Sequence, residues 1–212
     1  MYVPEQYKEL NLIVINDFIN QNSFGNIITS HNNELYVTPT PFIATLNNNS
    51  TITLLGHISK HNPQVISLVN GASVLCSFNG PHCYISPSWY TTPNVPTWNY
   101  KAVQVKGIVK ILDAKAAQKT METLVQHYEQ GVEKPLKITD IPYDMLNEDL
   151  ANIVVFEIEV HSVDASFKLS QNKDDVTYTK IIRELKKQDD YNSMLIAFEM
   201  EQNLKKRKLQ AN

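Results

Sequence analysis

The chain has 212 residues, 19 Lys and Arg against 22 Asp and Glu for a net charge of −3, and 42% hydrophobic residues. That size can bury a core without a disulfide or metal staple, and the composition excludes a wholly disordered or coiled-coil chain. The negative balance excludes nucleic-acid binding by bulk positive charge and leaves only a local basic patch.

Met1–Gln6 has neither the basic nor the apolar stretch of a secretory leader. The longest apolar runs, Leu12–Ile15 and Ile153–Phe156, fall far short of the roughly 18 residues of a membrane span. We therefore expect a cytoplasmic protein without a membrane partner, its two thiols, Cys76 and Cys83, reduced and packed as small apolar residues.

From the N-terminus, Leu12, Ile15, Phe18 and Ile19 recur at helical spacing, predicting a helix over Asn11–Asn22 with Asn11 as N-cap. A short strand over Asn26–Ser30, a turn at His31–Asn33 and a second strand over Leu35–Thr45 follow. Pro39 and Pro41 cannot donate ladder hydrogen bonds, so this second strand needs an edge position, a bulge or a non-strand neighbour there. Asn47–Ser50 reads as a hairpin tip and Thr51–His57 as the returning strand. Asn62-Pro63 suits the start of a helix running through His61–Asn70. Strand periodicity returns at Ser73–Phe78 and most clearly at Lys101–Leu112, where Val103, Val105, Val109 and Ile111 alternate with polar residues.

Asp113 caps a predicted helix that ends at Gly131, with Ala117, Met121, Leu124, Val125 and Tyr128 on one face. Ile153–Val163 is a further strand, Asp174 opens a helix with Tyr178, Ile181, Ile182 and Leu185 on one side, and Asn192–Lys208 reads as a final, more polar helix. Strands dominate the middle of the chain and helices flank them. That pattern predicts an α+β fold built on an antiparallel barrel or sheet. Two parts are expected: residues 1–170 as barrel domain with N-terminal helix, and residues 171–212 as a helical extension.

No dinucleotide fingerprint, Walker loop or nucleophile elbow occurs, and six glycines leave little material for a Gly-rich phosphate cradle. The stretch Gly80–Tyr90 concentrates His82, Ser86, Ser88, Trp89 and two prolines, and Val95–Tyr100 adds Trp98 and Asn99. Stiff, aromatic loops of this kind suit a wall for a planar ligand, and equally a subunit interface. His57 and His61 are four apart, but the segment reads as strand end into loop. Helical chelation does not follow, and no metal site is expected.

Gly56-His57 with Asn62-Pro63-Gln64, then Gly80-Pro81-His82 through Ser86-Pro87-Ser88-Trp89-Tyr90, then Val95–Tyr100, resemble the PaiB family of FMN-binding negative transcriptional regulators. Asn22–Gly25 and Lys168–Lys173 agree with that resemblance, which runs in order from about Met1 to Leu185. It implies a split antiparallel β-barrel with flanking helices, akin to flavin reductases and pyridoxamine-phosphate oxidases, forming a homodimer with FMN at the interface. Related split barrels place a Ser-Arg-Lys element against the FMN phosphate where this chain has Ser59 and Lys60, with the Asn62 amide or helix N-terminus alongside. The resemblance further implies flavin contacts at His57, His82, Ser86, Ser88 and Trp89, and at Trp98, Asn99, Lys168 and Gln171.

Three departures stand out: Pro39 where the family usually has His, Lys60 where it often has Arg, and Val65 where it tends to have Trp. Lys offers a point charge without the bidentate fork of Arg. The alternatives to a repressor are a flavin-dependent oxidoreductase and a barrel that has lost its flavin; no catalytic residue is identified. Lys205-Lys206-Arg207-Lys208 is the candidate contact to a DNA operator through the C-terminal helices. Asn192, Ser193 and Gln202 are the polar groups available for bases, with Glu199 and Glu201 opposing. The plainer reading of these helices is a solvated tail or a dimer clasp.

Overall fold

The structure, a computed structural model, describes residues 1–210. The chain forms two compact units, one from Leu12–Phe78 and Gln104–Val163, the other from Met1–Asn11, Asn79–Val103 and Asp164–Asn212. The strands are β1 (Phe24–His31), β2 (Glu34–Leu46), β3 (Ile52–Ser59), β4 (Ser73–Ile85), β5 (Thr97–Ile111) and β6 (Ile153–Lys168). The helices are α1 (Leu12–Gln21), α2 (Ala114–Tyr128), α3 (Tyr143–Ala151), α4 (Asp175–Leu185) and α5 (Tyr191–Gln210).

The first of these units is the barrel. Its strands follow the order β1-β2-β3-β6-β5-β4, and Asn26–Ile28 of β1 pair with Leu75–Ser77 of β4 to close the ring. The β1–β2 hairpin turns at Asn32-Asn33, both at positive φ, which asparagine tolerates better than most residues. Alternate side chains point inward, and Ile27, Phe42, Leu54, Phe78, Phe156 and Ile158 are fully buried. Phe42 meets Phe78 edge-on at 5.3 Å between ring centres and Phe156 at 6.4 Å. Burial of each such side chain contributes about 1.5–3 kcal/mol. Gly25 makes room for this packing, because a Cβ there would stand 2.6 Å from the Phe78 ring. Helix α1 adds Ile15, Phe18 and Ile19, and the Asn20 side chain both donates to Ala44 O and accepts from Ala44 N at 2.9 Å.

The two prolines of β2 find the edge position. Pro39 and Pro41 lie opposite Asn26 and Phe24 of β1, while pairing with β3 begins only at Phe42. The helix expected over His61–Asn70 is instead one 3-10 turn, Pro63–Ile66. The Asn62 side chain caps it by accepting from Gln64 N. Buried Gln64 then reaches into the sheet, donating to Ile27 O at 3.1 Å and Thr29 Oγ1 at 2.9 Å. Side-chain bonds, not a propagating backbone ladder, hold this segment.

Asp113 caps α2 as expected, its Oδ1 accepting from Ala116 N at 2.9 Å, and Gly131 follows at φ +87°. The expected apolar face is only partly covered: Leu124 is buried, whereas Tyr128 is exposed. Helix α3, which the sequence pattern does not announce, buries no residue at all.

The second unit joins α4 and α5 to the later part of β4, the start of β5 and the end of β6. Its core holds Ile85, Leu169, Tyr178, Ile181, Leu185, Ile196 and Met200. The reading of α5 as a solvated tail is thus corrected: Ile196, Ala197 and Met200 are fully buried. Glu199 and Glu201 disguise this stripe, and both are paired, with Lys101 and Lys186. Residues 211–212 of the expected extension lie outside the described residues.

The loop expected over Gly80–Tyr90 is also corrected. Strand β4 continues to Ile85, and Thr97–Tyr100 opens β5, so His82 and Trp98 stand on strands. Gly80-Pro81 interrupts the apolar alternation and so hides the continuation in the sequence.

Candidate functional site

The sequence-predicted residues divide between the two units. In the barrel unit, His57 and Ser59 end β3, opposite Val155 and Ile153 of β6. The exposed turn that follows is stitched by Lys60 N donating to Asn152 O, His61 N to Ser59 Oγ, and Asn62 N to Ser59 O. Ser59 Oγ accepts one bond but donates none, and the Lys60 ammonium has no partner, among the described residues. Lys60 borders a cavity of about 480 Å³ with Lys115, Gln118 and Asn147 on its wall.

Asn62 is engaged within the fold, its Nδ2 donating to Thr38 Oγ1 at 2.8 Å while its Oδ1 caps the 3-10 turn. The half-buried His57 ring carries a buried Nδ1 without a partner, and burial lowers its pKa, so the imidazole is held neutral.

In the helical unit, His82, Ser86, Trp89 and Trp98 line one open cleft of about 560 Å³, with Tyr84 and Asp190. The half-exposed Trp98 indole lies 6.2 Å from the His82 ring at 35°, and Tyr84 meets it edge-on at 6.1 Å. Ser86 caps the turn Pro87–Trp89 by accepting from Ser88 N, and its hydroxyl lies 2.8 Å from that of Ser88. The Ser88 carbonyl accepts from Lys180.

Asp190 is held below the usual carboxylate range, first by its bonds to Ser193 and also by the nearby His82. Burial, with the Asp190 charge, pushes the Cys83 thiol up to about 12. That thiol is therefore protonated at neutral pH and unsuited to nucleophilic attack. Among the described residues, no three His, Cys, Asp or Glu side chains are grouped to hold a metal.

Four predicted residues of this unit lie outside the cleft: Ser88, whose hydroxyl meets Ser86 at its edge, and Asn99, Gln171 and Lys168. Asn99 is buried, accepting from Ser170 Oγ at 3.0 Å and facing Met200 Sδ. Gln171 bonds the turn on which it sits, and Lys168 belongs to a smaller pocket. Sequence reasoning missed Tyr84 and Asp190. Asp190 with Ser193 has the spacing of an N-cap, immediately ahead of the helix expected from Asn192.

The sequence model of the family described as "Putative FMN-binding domain" matches residues 1–162. Over 206 residues the chain is 33% identical to Protease synthase and sporulation protein PAI 2 of Bacillus subtilis (strain 168), covering 97% of this chain and 99% of that protein. In fold it is similar to the FAD and heme binding protein from Mycobacterium smegmatis, with 12% identity, a TM-score of 0.61 and 76% and 73% of the two chains covered. It is similar also to the flavocytochrome Anf3 from Azotobacter vinelandii, with 11% identity, a TM-score of 0.62 and coverage of 84% and 78%. At such identities the likeness is one of architecture, the α+β split barrel. The match along most of the chain and the full-length relative together place this protein in the PaiB family.

Proposed function

We propose that the protein binds FMN as a homodimer and serves as a negative transcriptional regulator. The observation that carries flavin binding is the aromatic cleft, where His82, Ser86, Trp89 and Trp98 share one wall. The flavocytochrome and the FAD and heme binding protein named above support the same reading through their fold. The regulator role draws its support from the family alone.

The residues suit the group. A phosphate needs donors that are not already used, and the Ser59 hydroxyl and Lys60 ammonium supply a hydrogen bond and a charge. The buried, unpartnered His57 Nδ1 is an atom that a bound polar group would satisfy. Trp89 and Trp98 offer flat faces for a planar ring, and Ser86 and Ser88 offer hydroxyls beside them. When bound, a flavin supplies reversible electron or hydride acceptance, while the chain supplies position and electrostatics. His57, held neutral by burial, adds no charge to that environment.

The test is an absorption spectrum of the purified protein, followed by fluorescence titration with FMN and with riboflavin. FMN should bind more tightly than riboflavin, and Lys60→Gln should weaken FMN alone. Equal affinities would remove Ser59 and Lys60 from the account, and absence of binding would reject the flavin reading. Light scattering that gives a monomer with flavin present would reject the dimer.

A further inference from the structure

Lys168 and Lys173 face one small pocket in the helical unit, walled by Tyr7, Tyr90, Thr97 and Ser170. Its volume is about 190 Å³. That is below the roughly 300 Å³ at which pockets begin to take drug-sized ligands, and too small for a three-ring system. Lys168 Nζ donates to Thr97 Oγ1 and lies 5.7 Å from the centre of the Tyr7 ring, while Lys173 Nζ lies 4.9 Å from that of Tyr90. Neither ammonium pairs with a carboxylate among the described residues, and none lines the pocket.

The turn that sets the two lysines is built at a cost. Ser170 is buried at φ +59°, a left-handed conformation unfavourable for a non-glycine residue. Ser170 Oγ donates to Asn99 Oδ1, Gln171 Oε1 accepts from Leu169 N at 2.6 Å, and Gln171 Nε2 donates to Phe167 O at 2.6 Å. Arg207 then donates to Gln171 O at 2.7 Å and to Lys173 O at 3.3 Å. Five bonds thus enforce a strained turn whose outcome is two like charges on one cavity. Backbone strain held by surrounding structure clusters at ligand clamps and other functional sites.

We propose that this pocket binds a phosphoryl group between Lys168 and Lys173, a site additional to the Ser59 and Lys60 corner. A dianion would satisfy both ammoniums and relieve their repulsion. Burial and the Lys173 charge both lower the pKa of Lys168, as expected of a cation lacking its counter-charge. Asn99, Ser170, Gln171 and Arg207 are positioning residues on this account. Gln171 and Asn99 act through the turn, without contact to the ligand.

The experiment is calorimetric titration of the full-length, flavin-free protein with inorganic phosphate at constant ionic strength. Saturable binding is expected, weakened about tenfold by loss of one charge-assisted bond in Lys168→Gln or Lys173→Gln, and left intact in Lys60→Gln. Lys173→Arg should retain it. Lys168→Gln also removes the bond to Thr97, so Lys173→Gln, which gives up the contact over the Tyr90 ring and no side-chain hydrogen bond among the described residues, is the decisive variant. Repeating the titration with saturating FMN or riboflavin identifies the source. Persistence with both is expected and assigns the pocket to a separate phosphorylated small molecule; loss with FMN alone would make it the flavin's own phosphate site and overturn a site additional to Ser59 and Lys60. Absence of saturable phosphate binding by the wild type, or binding unchanged in Lys173→Gln, overturns it, and neither result depends on flavin.

Discussion

The guanidinium of Arg207 lies over the ring of Tyr178, its central carbon 4.3 Å from the ring centre. The same side chain reaches the carbonyls of Gln171 and Lys173 and lies 3.7 Å from the Asp175 carboxylate. Arg207 is therefore a strut between α5, α4 and the turn after β6, although in the sequence it sits among three lysines that suggest a free basic tail.

Replacing this strut should be costly. A cation over a ring and two charge-assisted bonds to carbonyls are together worth about 2–4 kcal/mol where partly desolvated. Arg207→Ala should lower the unfolding free energy accordingly, while Lys206→Ala, one residue away and exposed, should change it by less than about 0.5 kcal/mol. Arg207→Lys should recover only part of the loss, because an ammonium lacks the second donor arm.

The barrel has its own point of no tolerance. A Cβ at Gly107 would stand 2.4 Å from Ile158 Cγ2 and 2.5 Å from Glu159 O. The carbonyl belongs to the paired backbone of β6, so relief requires moving a strand and not a rotamer. Gly107→Ala should destabilise by about 3 kcal/mol or more, as overpacking against backbone does. Equilibrium unfolding measures it; Gly71→Ala is a contrast in which no atom lies within 4 Å and only the φ of +81° opposes the new methyl group.

Much of this was legible in linear form. Strand β5 announces itself by Val103, Val105, Val109 and Ile111, α1 by Ile15, Phe18 and Ile19, and α2 by the Asp113 cap, because each has one dry face and one wet one. Helix α3 was not, since it buries nothing and so carries no periodic stripe. The stripe of α5 was diluted by acids whose partners, Lys101 and Lys186, are remote in sequence. The motifs Asn62-Pro63-Gln64 and Ser170-Gln171 could be picked out, but not what their amides do. Gln64 bonds β1 and Gln171 staples its own turn, and such pairings are set by three-dimensional register that spacing does not encode.

The thiols should be silent in the native state. Both Cys76 and Cys83 are free and buried, and burial raises both pKa values, that of Cys83 to about 12. At pH 8 a thiol reagent should react with neither until the chain unfolds, when both become available. The linkage has a definite sign. An unfolded thiol ionises near pH 9 and the folded Cys83 near pH 12, so the unfolded chain loses its proton first. Stability from this group is complete below about pH 9 and falls as pH rises toward 12. Cys83→Ala should make that alkaline decline shallower by up to about one proton; an unchanged slope would show that Cys83 ionises normally in the fold.

The structure also redraws the expected DNA contact. Of Lys205, Lys206, Arg207 and Lys208, the three lysines are exposed and Arg207 is engaged. Lys208 shares a groove of α4 and α5 with Lys180 and Arg183, and Lys180 already donates to the carbonyls of Ser88 and Tyr90. Ser193, offered by its sequence position as a base-reading group, is buried. If operator binding runs through this tail, three free lysines supply the phosphate contacts, for a log–log salt slope of about −2.7 on duplex DNA. Truncation before Lys205 is the wrong test, because it removes Arg207 and with it a strut of the second unit. The informative variant changes Lys205, Lys206 and Lys208 to Gln and keeps Arg207. It should unfold at the wild-type denaturant midpoint, bind flavin as before and lose retention in a gel-shift assay at low salt. Retention that survives the triple change would place DNA recognition elsewhere on the protein, and a slope much steeper than −2.7 would mean that Arg183 or other cations join the contact.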